Sequence, residues 1–131
     1  MQHLTVCALA AMLGSIVTFA YGMWPESLTL LLVAMGIDYI TGVTAAIAEK
    51  KGLNSLAGAW GLARKVIVLL VILLAHRVDL LLESGNMAMG AVIYFYLANE
   101  LISITENLGR IGIPMPDRLR ELIEVLKKKN E

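Results

Sequence analysis

The sequence predicts an all-α integral membrane protein with four transmembrane spans, and three observations predict it. Hydrophobic residues make up 58% of the 131 residues and charged ones only 17%, where a soluble domain usually carries about 45–50% and about 25%. Four apolar stretches, residues 4–23, 28–48, 66–82 and 87–104, are separated by short connectors, and each reaches the roughly 17–25 residues that a helix needs to cross a hydrocarbon core about 30 Å thick. The basic residues are also unevenly placed. None precedes Lys50; they gather in the second connector (Lys50, Lys51, Arg64, Lys65) and beyond the fourth stretch (Arg110, Arg118, Arg120, Lys127, Lys128, Lys129). Basic loops stay on the cytoplasmic side, so four spans put both clusters and both termini inside, whereas three would translocate one cluster.

Taken in order, the first stretch follows Met1-Gln2-His3, which lacks the positively charged start of a cleaved signal peptide, so it is read as a retained span. It contains Cys7, the only cysteine, which excludes an intrachain disulfide or a cysteine metal cluster and is expected to be a small buried apolar residue. Trp24 and Pro25 follow, an interfacial aromatic and a helix breaker suited to the membrane edge. In the second stretch Ala34, Asp38, Gly42 and Ala46 recur every four residues, with Thr41 and Ala45 alongside. That makes one small, polar face, of the kind that lets helix backbones approach closely.

The second connector holds three glycines between Gly52 and Lys65 and is poor helix material. Ser55 could cap a short turn there and Trp60 could anchor it, along the inner surface. The third stretch is the weakest, because His76, Arg77 and Asp79 leave residues 66–75 as its only unbroken apolar run. The fourth carries a polar stripe of Asn99, Glu100, Ser103 and Glu106 near its inner end. Glycines and prolines from Gly109 to Pro116 then end the helix. A cytoplasmic tail, residues 105–131, finishes in an amphipathic helix over residues 117–129: Asp117 and Lys127 to Lys129 complement its dipole, and Leu119, Leu122, Ile123 and Leu126 form its apolar stripe. The four-span bundle thus occupies residues 1–104.

An ionisable residue inside a span is a functional candidate, because leaving it unpaired in hydrocarbon is costly. The candidates are Asp38, Thr41, Gly42, Arg77, Asn99, Glu100 and Ser103. At about 1.5 Å of rise per residue, Arg77 reaches down to Asp38 more readily than to Glu100, so an Asp38–Arg77 pair is expected. No hydrolase triad, phosphate loop or metal-ligand cluster is present, which points away from catalysis, from a cofactor and from a metal. The expected partners are the lipid bilayer and further copies of the chain, with no nucleic acid.

Three segments in order carry a resemblance. The first is Asp38-Tyr39-Ile40-Thr41-Gly42 with Lys50-Lys51. The second is Ser55 and Gly58 ahead of Arg64-Lys65-Val66. The third is Asn99-Glu100-Leu101-Ile102-Ser103-Ile104 running into Asn107-Leu108-Gly109 and Ile113-Pro114-Met115-Pro116-Asp117-Arg118-Leu119. From about residue 28 to residue 126 the chain resembles the toxin-secretion and phage-lysis holin family; the first stretch matches no motif of it. The resemblance implies a small phage or prophage protein that accumulates in the bacterial inner membrane, oligomerises, and opens lesions through which a cell-wall hydrolase or toxin passes without stable contact. It carries no catalytic residues. A rival reading is a four-span proton-coupled transporter using Asp38 or Glu100, and a third is a membrane adaptor whose tail recruits a partner. Dye leakage would separate the holin from both.

Overall fold

A computed structural model describes residues 1–50, 52 and 54–130, and these form helices with no strand among them. In chain order the helices are α1 (Gln2–Tyr21), α2 (Glu26–Ala48), α3 (Ser55–Leu82), α4 (Met87–Ile111) and α5 (Asp117–Asn130). The boundaries follow local chemistry. Pro25 sets an extended backbone immediately before α2, where its missing N–H costs nothing. The Asn54 side chain accepts from the Leu56 N–H at 3.0 Å and so caps α3. At the other end α4 stops at Gly112, whose φ of 88° is open to glycine at no steric cost, and Gly112 and Ile113 both donate to the Leu108 carbonyl at 2.9 Å.

Three expectations about these elements need correction. The second connector is not an irregular surface segment: Asn54, rather than Ser55, starts a helix that runs unbroken through Gly58, Gly61, Arg64 and Lys65 into the third apolar stretch. The fourth helix continues seven residues past residue 104, through Gly109, because the turn that ends it is at Gly112. Finally, among the described residues three helices are long and apolar enough to cross a membrane, α1, α2 and α4, not the expected four. Helix α3 drops out because its apolar run, residues 66–75, is closed by Arg64 and Lys65 on one side and by His76, Arg77 and Asp79 on the other.

Leu28, Leu31, Ala34 and Met35 of α2, Ile72 and Ala75 of α3, and Met89, Ile93, Leu97 and Ile104 of α4 form the core. Helices α2 and α4 make the most extensive contact and run in the same direction, for Gly42 lies against Asn107 and, further on, Glu49 meets Arg110. Helix α3 returns antiparallel to α4: its Lys65 reaches Glu100 and its Asp79 reaches the α4 start at Met89. The outward faces of α1, α2, α3 and α4 carry exposed apolar side chains along their length, far more contiguous apolar surface than water tolerates.

Helix α1 stands apart. Every residue from 1 to 19 is exposed and only Ala20 is buried, so Cys7, expected to be buried, is exposed instead. Its attachment is confined to its last turn, where Arg77 donates to the Phe19 carbonyl at 2.6 Å and the Tyr21 hydroxyl to the Leu69 carbonyl at 3.1 Å. The tail helix α5 touches α4 and buries Ile123, while Leu119 and Leu122 stay exposed. Its expected apolar stripe is therefore not buried as one face, and the Leu126 side chain lies outside the described residues.

Candidate functional site

The polar residues inside the helices are not scattered. Lys65 enters from α3 between α2 and α4, and its ammonium donates to Asp38 Oδ2 at 2.8 Å and to both carboxylate oxygens of Glu100 at 2.9 Å. All three side chains are largely covered, at 13–17% exposure, so removing one partner would strand a covered charge and cost more than breaking a surface pair. Asn107 completes the arrangement from the next turns of α4. Its Nδ2 donates to the Asp38 backbone carbonyl at 3.1 Å, to Asp38 Oδ1 at 2.9 Å and to Thr41 Oγ1 at 3.0 Å. Thr41 can accept because its own proton goes back to the Ile37 carbonyl at 2.7 Å. Ser103 also faces Asp38.

The sequence places these groups together for a simple reason. Glu100, Ser103 and Asn107 are spaced i, i+3 and i+7, so they share one face of α4. Asp38, Thr41 and Gly42 share one face of α2. Gly42 matters by its size: a Cβ there would lie 3.5 Å from Asn107 Nδ2, so a longer side chain would push Asn107 off the α2 backbone. Toward the end where the basic residues gather, Arg110 donates to Glu49 Oε1 at 2.6 Å, a second tie between α2 and α4.

Around this cluster α2, α3 and α4 leave an open cleft of about 1100 Å³, bordered by Asp38, Gly42, Asn99, Glu100, Ser103 and Asn107 and, on the α3 side, by Gly58, Arg64 and Lys65. Gly58 lets Tyr39 lean into it, since a Cβ at position 58 would stand 3.2 Å from the tyrosine hydroxyl.

Of the residues expected to matter, Asp38, Thr41, Gly42, Asn99, Glu100 and Ser103 meet here, and Arg77 does not. The expected Asp38–Arg77 pair is absent: Arg77 lies at the opposite end of α3, where its guanidinium stacks 3.6 Å from the Phe19 ring centroid besides bonding the Phe19 carbonyl. Asp38 has a nearer cation in Lys65, one that the sequence assigned to the inner surface. Glu106 points outward, exposed, and its expected place in the polar stripe is taken by its neighbour Asn107. Lys50, Arg64, Arg118, Arg120 and Lys127 to Lys129 are exposed; Lys51 lies outside the described residues.

The far end of α3 holds a second polar group. Asp79, 1% exposed, accepts from the Ser84 hydroxyl at 2.6 Å, from the Ala88 N–H at 2.8 Å and from the Met89 N–H at 2.7 Å. It thereby caps α4 across the turn with a carboxylate, which the positive end of the helix dipole favours. Next to it, His76 packs into the bend at Gly22 (φ 69°), where a Cβ would stand 2.7 Å from the imidazole, and its buried Nδ1 finds no partner among the described residues.

Comparison with known proteins places the sequence in a group. A profile of the bacteriophage holin family matches residues 15–128. A protein of Halalkalibacterium halodurans is 41% identical over 123 residues, 90% of each chain, and a 14.9 kDa protein of Clostridium perfringens is 38% identical over 89% of each. A protein of Bacillus phage phi105 named a probable holin is 36% identical over 104 residues, covering 79% of this chain and 76% of that one. No solved structure matches the chain significantly.

Proposed function

The chain belongs to the bacteriophage holin family, and from that premise we propose that it oligomerises in the bacterial inner membrane and opens lesions that release a cell-wall hydrolase or toxin. The observation that carries the reading is the Asp38–Lys65–Glu100 cluster. Two carboxylates and an ammonium are held between three apolar helices, with an open cleft beside them. In a single chain one ammonium answers both carboxylates and their polar face is turned inward. Parting α3 from α2 and α4 would expose that face, and charges in hydrocarbon then demand water or matching charges from a neighbouring copy. A ring of copies meeting along such faces encloses a wet lumen.

In this reading α3 crosses the membrane with its neighbours despite its composition. It lies beside α4 from Glu100 to Met89, and the 14 helical steps from Lys65 to Asp79 cover about 21 Å. Its Lys65, Arg77 and Asp79 are all matched by groups of other segments, which removes much of the cost that keeps such a sequence out of lipid. Four crossings put both termini, Lys50, Arg110 and the basic residues of α5 in the cytoplasm, with α5 and its lysines resting near an anionic inner leaflet.

Induction of the chain in a bacterium that also makes a cell-wall hydrolase lacking an export signal tests the function. Abrupt lysis after a delay, with dye entering the cells, is the expected outcome. A normal culture density and membrane potential despite confirmed insertion would refute it, and a proton-coupled transporter would give ion uptake without dye entry.

A further inference from the structure

The charges of the cluster between α2, α3 and α4 do not balance. Two carboxylates, Asp38 and Glu100, meet one ammonium, Lys65, at 2.8 and 2.9 Å. Asn107 and Ser103, which also face Asp38, are neutral. The charge that acts on both carboxylates is that of Lys65. Arg110 is taken by Glu49, Arg64 borders the same cleft but is exposed, Glu106 points outward, and Tyr39 and Tyr96 add only neutral hydroxyls. With all three members ionised, one negative charge is left over among apolar helices.

The geometry shows how that excess is met. Gathered on one ammonium, the two carboxylates lie within the roughly 4–6 Å over which a like charge disfavours ionisation, and they face one another as hydrogen-bond partners. Ionised carboxylates only accept, so a hydrogen bond between them needs a proton. An unmatched charge in hydrocarbon is costly, whereas a single proton on the pair leaves a neutral set of ammonium, carboxylate and carboxylic acid. Carboxyls this close titrate as a unit.

We propose that the Asp38–Glu100 pair holds one proton in the closed bundle, and that its loss parts α3 from α2 and α4. The proton leaves to water entering the open cleft, which both residues border. What remains is a second carboxylate with no second cation, and the repulsion falls on the Lys65 bridge that ties α3 to the other two helices. The inference rests on the membrane placement given above and names the regulation of the same cluster. Its sign follows from linkage. Free Asp and Glu titrate at about pH 4, so above about pH 5 an unfolded chain has released the proton that the closed bundle keeps, and stability falls as pH rises.

Two measurements on the full chain test it. Infrared spectroscopy in phosphatidylglycerol bilayers at neutral pH should show the carbonyl stretch of one protonated carboxyl. Both Glu100→Gln and Asp38→Asn should lose that band, because either change leaves one carboxylate for one ammonium; circular dichroism checks that both stay helical. Asp79, the other covered carboxyl, accepts three hydrogen bonds as a carboxylate and adds no such band. In a titration with denaturing detergent above about pH 5, the unfolding equilibrium constant of the wild type should rise up to about tenfold per unit of pH. That of Glu100→Gln should not rise, and His76→Gln, which removes the buried imidazole, should follow the wild type. Absence of the band from the wild type, its survival in either variant, or equal slopes for wild type and Glu100→Gln would each overturn the proposal. Dye release from vesicles reads the function separately: a chain with the band and the slope that releases no dye refutes lesion formation and leaves the proton in place.

Discussion

Replacing Lys65 by methionine keeps most of the unbranched apolar stem and removes the ammonium with its charge and its hydrogen-bond donors. In the native arrangement one ammonium answers two carboxylates at 2.8 and 2.9 Å. Its removal leaves Asp38 and Glu100 adjacent, with Asn107 and Ser103 still facing Asp38. Removing one member of a buried ion pair costs about 3–5 kcal/mol; the side chains here keep 13–17% of their surface exposed, so the lower end, about 3 kcal/mol, is the expected loss. The assay is unfolding of the purified chain in mild detergent on titration with a denaturing one, followed by helical circular dichroism. The triple variant Lys65→Met, Asp38→Asn, Glu100→Gln removes the whole set of charges, and it should recover most of the loss, as replaced buried ion clusters commonly do. If Lys65→Met unfolds within about 0.5 kcal/mol of wild type, below the usual size of a coupled buried interaction, or if the triple variant is no better than the single one, Lys65 does not hold the three helices together.

Asn107→Leu should cost about 1–3 kcal/mol in the same assay, because it deprives the Asp38 carbonyl and carboxylate of a buried donor; Glu106→Leu, one residue away and exposed, should be neutral. Asp79→Ala should destabilise the α3–α4 turn by about 0.5–2 kcal/mol, read locally as faster amide exchange at Ala88 and Met89 with little change near Glu100. For topology, in a Cys7→Ser background, Ser84→Cys should react with an impermeant thiol reagent in intact cells while Ser55→Cys and Asn130→Cys should not. Labelling at Ser55→Cys with protection at Ser84→Cys would reverse the orientation.

Much of the fold and part of the site were legible in the sequence, and the misses have physical causes. Apolar stretches of sufficient length announce helices, and the four-residue spacing from Ala34 to Ala46 announces the α2 face that carries Asp38. The partner of Asp38 was not legible. Counting Lys65 with the basic residues of a connector hid the fact that α3 begins eleven residues before the apolar run, which carries Lys65 into the bundle rather than onto its surface. Asn107 was missed because the fourth stretch was ended where hydropathy fell, at residue 104; the i+7 spacing from Glu100 was the available signal. Arg77 illustrates a different limit. Depth along a helix says how far a side chain can reach, but not which way around the axis it points, and here it turns to the end of α1.

That end is also where the chain divides by what its sequence must specify. Residues 1–19 are all exposed, the grip of α3 on them is at Phe19, and the family profile begins at residue 15, so the part of the chain with the fewest tertiary contacts is the part with least to encode. Beyond keeping Phe19, Tyr21 and Gly22 where α3 can grip them, α1 has only to be long and oily. Almost any apolar order of its first dozen residues would serve, whereas a single exchange of Asp38, Lys65 or Asn107 alters three helices at once. Information in this protein is concentrated where the helices meet, and its leading helix is close to a blank strip that lipid alone reads.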